Sequence, residues 1–134
     1  FEKALEVLAK LPDSAGKFRS QARAFIGLGD AEGAKKSLSA CLAEEPDDPY
    51  ACFELAKLSF AGGDYNLAKI LYNRAQKDET YSVAAKVGLM SVAVKTGALG
   101  EAVSIASALY AQTRRAEVGE YLEYLKNAKK AEDM

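Results

Sequence analysis

The chain has 134 residues, 49% hydrophobic and 28% charged, a balance that supports one folded domain and excludes a disordered chain. Eighteen Lys and Arg face nineteen Asp and Glu, so a net charge of −1 supplies no global basic field for nucleic acid. Histidine is absent, which removes Ser-His-Asp and Cys-His nucleophile pairs, His-ligated zinc and haem, and histidine pH switches.

Residues 1–11 carry a helical stripe of Phe1, Ala4, Leu5, Leu8 and Leu11, closed by Pro12. It reads as a second helix lacking its first. The chain also opens on Phe rather than Met, so it is expected to be part of a longer protein. In 15–48, a helix runs to about Leu28, Gly29-Asp30 turn the chain, and a second helix runs to about Ala43. Glu44, Glu45, Pro46, Asp47 and Asp48 then connect to 49–82. There Tyr50, Phe53, Leu55, Ala56, Leu58 and Phe60 sit on a helix ended by Gly62-Gly63. Gly63 can take positive φ without a Cβ clash, and Asp64 offers an acceptor to the free amides of the next helix. Leu67, Ala68, Leu71, Tyr72 and Ala75 follow at helical spacing, and Asp78 to Thr80 break the pattern. In 83–116 the turn is Thr96-Gly97-Ala98, with no Asp, and is expected to be looser. Val118, Tyr121, Leu122, Leu125 and Ala128 form the apolar stripe of a capping helix over 117–130, and residues 130–134 are expected to fray.

These units share a period of 34 residues without a gap. The shift superimposes Gly29, Gly63 and Gly97; Asp30 and Asp64; Ala34, Ala68 and Ala102; Ala22, Ala56 and Met90; and Cys41, Ala75 and Leu109. Alanine at the same interval after each turn lets two helices approach closely, with larger neighbours interlocking around the contact. A pair this short cannot cover its own apolar faces. Stacking of successive pairs supplies the missing surface, so the expected fold is all-α, a right-handed α-α superhelix.

This pattern resembles the tetratricopeptide repeat (TPR) superfamily over about 100 residues, since its units are helix–turn–helix with a 34-residue period. The family's small first-helix residue matches Ala22 and Ala56, and the aromatic after it matches Phe25 but not Ser59 or Ala93. Its turn glycine matches Gly29, Gly63 and Gly97, and its small second-helix residue matches Ala34, Ala68 and Ala102. Its second-helix aromatic matches Tyr72, and its inter-repeat proline matches Pro12 and Pro46. The large aromatic near the repeat start is kept in Phe18 and replaced by Cys52 and Lys86. The resemblance implies a single TPR domain over 1–134: a half-repeat 1–14, repeats 15–48, 49–82 and 83–116, and the capping helix.

No catalytic or ligand motif survives inspection. Gly27-Leu28-Gly29-Asp30-Ala31-Glu32 starts like a dinucleotide fingerprint, but its sixth residue is Glu and a helix precedes it. Gly16-Lys17 lacks the remainder of a P-loop, and the acidic run at 44–48 lacks calcium-loop spacing. Cys41 and Cys52 are not C-x-x-C and fall in packing columns. They read as small buried thiols of a reducing compartment, hence a cytoplasmic location. No apolar run reaches membrane-spanning length. The chain is therefore read as a non-enzyme with no catalytic residue, no cofactor and no metal, no nucleic-acid partner and no membrane insertion.

Function then rests on surface. The resemblance implies that the first helices of the repeats line a concave face that holds a peptide. Residue by residue, that face takes Arg19, Arg23 and Ile26; Tyr50, Phe53, Glu54, Lys57 and Phe60; and Ala84, Val87, Ser91, Val94 and Lys95. Of these, Arg19, Arg23, Tyr50, Phe53, Lys57, Phe60, Val87, Ser91 and Lys95 are the candidate binding residues. Four cations against the single acid Glu54, beside three aromatics, point to an acidic peptide or helix with an apolar anchor. Family members that clamp chaperone C-terminal carboxylates need cations or amides where this chain has Glu54, Ala84 and Gly88, so no such tail is expected to bind. The alternatives are a self-association module, a homodimer joined through Phe1 or through Leu122 and Leu125 if the last helix stays open, or a regulatory domain of a larger, bacterial-type signalling protein.

Overall fold

A computed structural model describes residues 1–134 and contains eight helices and no strand: α1 (Glu2–Ala9), α2 (Ala15–Leu28), α3 (Ala31–Glu44), α4 (Pro49–Ala61), α5 (Tyr65–Ala75), α6 (Ser82–Lys95), α7 (Leu99–Thr113) and α8 (Ala116–Glu132). Packing runs between chain neighbours, with α4 also reaching α6. That is the connectivity of an α-α solenoid, in which each unit leans on the next.

The three hairpins, α2–α3, α4–α5 and α6–α7, are built alike. Gly29, Gly63 and Gly97 take φ of 75°, 84° and 78°. In each, the residue after the glycine donates its N–H to the carbonyl five residues back: Asp30 to Phe25 at 2.9 Å, Asp64 to Ser59 at 2.8 Å and Ala98 to Ala93 at 2.8 Å. The glycine closes a second bond three residues back, to Ile26, Phe60 and Val94. This pair of bonds satisfies carbonyls that the helix end leaves open. Asp30 and Asp64 then cap α3 and α5, accepting from Gly33 N at 3.0 Å and Leu67 N at 3.2 Å. The third turn was expected to be looser, and its backbone bonds show that it is not. It lacks only the side-chain cap.

Ala34, Ala68 and Ala102 are fully buried, as are Ala22 and Ala56. One continuous core of fifteen buried residues extends from Ala15 on α2 to Val92 on α6. A smaller one joins Ala93, Ala102, Ala106, Leu122 and Leu125 across α6, α7 and α8. At the first junction, Asp48 is 7% exposed, caps α4 by accepting from Ala51 N at 2.9 Å, and is bridged by the Arg19 guanidinium, which also reaches Glu45 at 3.3 Å.

The two ends differ. Helix α1 buries no residue, and Phe1, Val7 and Leu11 remain 67%, 57% and 48% exposed. Helix α8 folds back onto α7 and buries Leu122 and Leu125, which removes them as a self-association stripe. It also runs to Glu132, past the expected fraying point, with Lys129 paired to Asp133 at 2.9 Å. Leu125 falls in the register of Lys57 and Ser91, while Tyr124, in the register of Ala22 and Ala56, is 64% exposed. Relative to the other first helices, α8 is rolled so that its groove-side column points inward.

Candidate peptide-binding groove

Helices α4 and α6 lie side by side as first helices of consecutive pairs. Residues one turn apart on each therefore face the same furrow. Phe53, Lys57 and Phe60 come from α4; Ala84, Val87, Gly88 and Ser91 from α6; Tyr72 of α5 closes the floor. The space is an open groove of about 450 Å³. Phe53 contacts Tyr72 edge-on at 6.0 Å and Tyr81 at 5.2 Å, and Phe60 meets Tyr65 at 5.3 Å. The α4 aromatics are thus half-packed, with one side against neighbours and one toward the furrow. Val87 is 43% exposed, and Ser91 Oγ donates to the Val87 carbonyl at 3.1 Å.

Of the nine candidate residues, Phe53, Lys57, Phe60, Val87 and Ser91 line this one groove. Tyr50 lies one turn before Phe53 on α4 and carries Arg23 over its ring at 4.5 Å. Lys95 lies one turn beyond Ser91, is exposed, and makes no ion pair. Arg19 belongs elsewhere: Asp48 and Glu45 engage it at the α3–α4 junction, so it adds no free charge to the furrow. Ile26 lines a separate small cavity of about 140 Å³ with Gly29, Asp30 and Leu58. Val94 packs toward the second core. Lys57 is both paired with Glu54 at 3.1 Å and placed 5.0 Å from the Phe53 ring centre. The expected excess of cations shrinks accordingly to Arg23, Lys57 and Lys95 against Glu54.

Burial, reinforced by the Glu54 carboxylate, pushes the hydroxyls of Tyr50, Tyr72 and Tyr81 above the ordinary phenol value. All three stay protonated at neutral pH. Residue-by-residue reasoning missed Tyr72 and Gly88 as lining residues. Gly88 left a trace in the sequence: an interior helix glycine is unfavourable by about 1 kcal/mol relative to Ala, so it calls for a reason. A second cleft, between α5, α6 and α7, is lined by Asn73, Gln76, Leu89 and Ile105, and Lys86 closes one side through Gln112 at 2.6 Å.

Helical hairpins repeated every 34 residues, each turned by a left-handed glycine and clasped by a buried alanine, define a helical-repeat solenoid protein. Residues 25–80 match the tetratricopeptide repeat family. No curated protein matches the chain. Repeats of this family generally mediate protein–protein interactions. No helix is long and apolar enough to cross a membrane.

Proposed function

We propose that the chain is a non-catalytic interaction module that binds an acidic peptide segment bearing an apolar anchor in the α4–α6 groove. The observation that carries this reading is one furrow, walled by Phe53, Phe60 and Val87, with Lys57 on its edge and Lys95 and Arg23 on the flanking turns. Burial of the anchor supplies most of the affinity, and the cations supply on-rate and orientation. Peptides enriched from a random library on the wild-type chain test the reading. Their affinity is expected to fall with salt, and Lys95→Glu or Arg23→Glu is expected to weaken it and flatten that dependence. Unchanged affinity and unchanged salt slope in both variants overturn the groove.

A self-association reading keeps one observation in its favour, the largely exposed side chains of Phe1, Val7 and Leu11 on and beside α1. Mass by light scattering across a concentration series decides it. A dimer that dissociates on Val7→Glu supports that reading, and a monomer at every concentration rejects it.

A further inference from the structure

The groove is apolar except at one point on its floor. Tyr72 is 5% exposed, yet its hydroxyl has no hydrogen-bond partner within the protein. No unpartnered side-chain polar atom is sealed from solvent, so this hydroxyl keeps some contact with water, and its residue lines the groove. The ring lies across Gly88: a Cβ built there would stand 2.4 Å from Tyr72 Cζ and 2.5 Å from Cε1. In the same register the chain has Ser20, Glu54 and Leu122. Position 88 alone in this register lacks a side chain, and there the Tyr72 ring of the second-helix layer reaches the furrow between two first helices.

We propose that Tyr72 Oη reads the bound segment by donating a hydrogen bond to a main-chain carbonyl of an extended acidic peptide, beside the residue whose apolar side chain fills the space between Phe53, Phe60 and Val87. This rests on the groove reading above and narrows it. The phenol is protonated at neutral pH, so it offers a donor and calls for an acceptor. Glu54 stands near enough to repel a carboxylate in that role, which favours a neutral carbonyl. A helical ligand already uses its interior carbonyls in its own ladder, whereas an extended segment presents them unpaired. A ligand that covers the furrow without supplying the acceptor leaves a buried hydroxyl unsatisfied, and it is selected against for that reason.

The test uses the full chain and peptides enriched on it from a random library, with affinities measured by fluorescence anisotropy. Tyr72→Phe keeps the ring over Gly88, and its thermal melt is recorded alongside. It is expected to bind the enriched peptides roughly five- to tenfold more weakly than wild type, the loss of one hydrogen bond in a covered site. A second arm leaves the protein untouched: the peptide amide that follows the anchor is replaced by an ester, whose carbonyl is a poorer acceptor. The ester is expected to weaken binding to wild type and to change binding to Tyr72→Phe less. Equal affinities for wild type and Tyr72→Phe, or an ester penalty the same in both, overturn the role of Tyr72. If Phe60→Ala weakens binding while Tyr72→Phe does not, the groove stands and only this inference falls. If neither variant matters, or nothing is enriched, both fall.

Discussion

Helices α2–α3 and α4–α5 turn through Gly29-Asp30 and Gly63-Asp64, and each aspartate caps the helix that follows; α6–α7 turns through Gly97-Ala98 with no side chain on the free amides. The backbone does not register the difference. All three glycines are left-handed, and the long return bonds are 2.9, 2.8 and 2.8 Å. The hairpin's shape is therefore set by the glycine and the closely packed alanine, and the carboxylate adds stability to a turn that forms without it. The junctions diverge in the same direction. The α3–α4 connection is tied by Arg19 to a buried Asp48, whereas Tyr81, just before α6, gives it no side-chain cap, and α7 is followed by Arg114, a non-glycine held at φ 53°. The family match covers 25–80 and ends before α6, while the third pair keeps the turn geometry of the first two.

The largest expected effect lies at the charged junction. Asp48→Ala removes a helix cap and leaves Arg19 with only the exposed Glu45, so it is expected to cost about 2–3 kcal/mol in denaturant unfolding. Ser82 occupies the same register one unit on, where its Oγ only accepts from Gln112 at 3.4 Å. Ser82→Ala is expected to fall within about 0.5 kcal/mol of wild type. Equal losses at the two positions would erase the distinction between the regions.

Alkaline pH offers the next separation, because both buried thiols lie in the first region. Burial raises Cys52 from 9.0 to about 11, and Cys41 shifts in the same direction. Between those values the unfolded chain has released the Cys52 proton and the folded chain still holds it. The associated stability is intact below pH 9 and is lost as pH climbs toward 11. Hydrogen exchange over that range is expected to show α3 and α4 losing protection before α7 and α8, and Cys52→Ala is expected to flatten the decline. A Cys52→Ala chain whose stability falls as steeply as wild type would show that the thiol is not the titrating group.

Much of this was readable from residues alone, and the boundary is physical. The 34-residue register placed all three glycine turns and both aspartate caps, because caps and turns depend on residues within one helical turn of each other. Arg19 could be placed on a helix face but not paired, since Asp48 lies twenty-nine positions away and meets it only after two pairs stack. The roll of α8 escaped for a related reason: its stripe fits two neighbouring faces, and contact with α7 decides between them. Tyr72 was legible as a packing aromatic. Its opening to the groove depends on the absence of a side chain at Gly88, and absence leaves no mark on a hydrophobic pattern. Ring-on-glycine contacts recur at Phe1–Gly27, Phe25–Gly33 and Tyr110–Gly119, so helix-interior glycines deserve reading as seats for an aromatic from a neighbouring helix.

The smallest expected effect tests the comparison most directly, by giving the third turn what the first two have. Ala98 sits at φ −85°, ψ 65°, close to Asp64 at −86°, 77° and near Asp30 at −91°, 90°. An aspartate there needs no backbone adjustment, and its carboxylate would stand to accept from Glu101 N as Asp64 accepts from Leu67 N. Ala98→Asp is therefore expected to stabilise the chain by about 0.5–1 kcal/mol. The Glu101 side chain opposes this as a like charge in the first turn, but Lys69 already engages it at 3.1 Å and blunts the repulsion. Asp64→Ala should lose a similar amount, and the two substitutions should add, since the turns share no partner. If Ala98→Asp gains nothing while Asp64→Ala still loses, the caps do more in the first region than satisfy amides, and shared backbone geometry would not imply shared energetics.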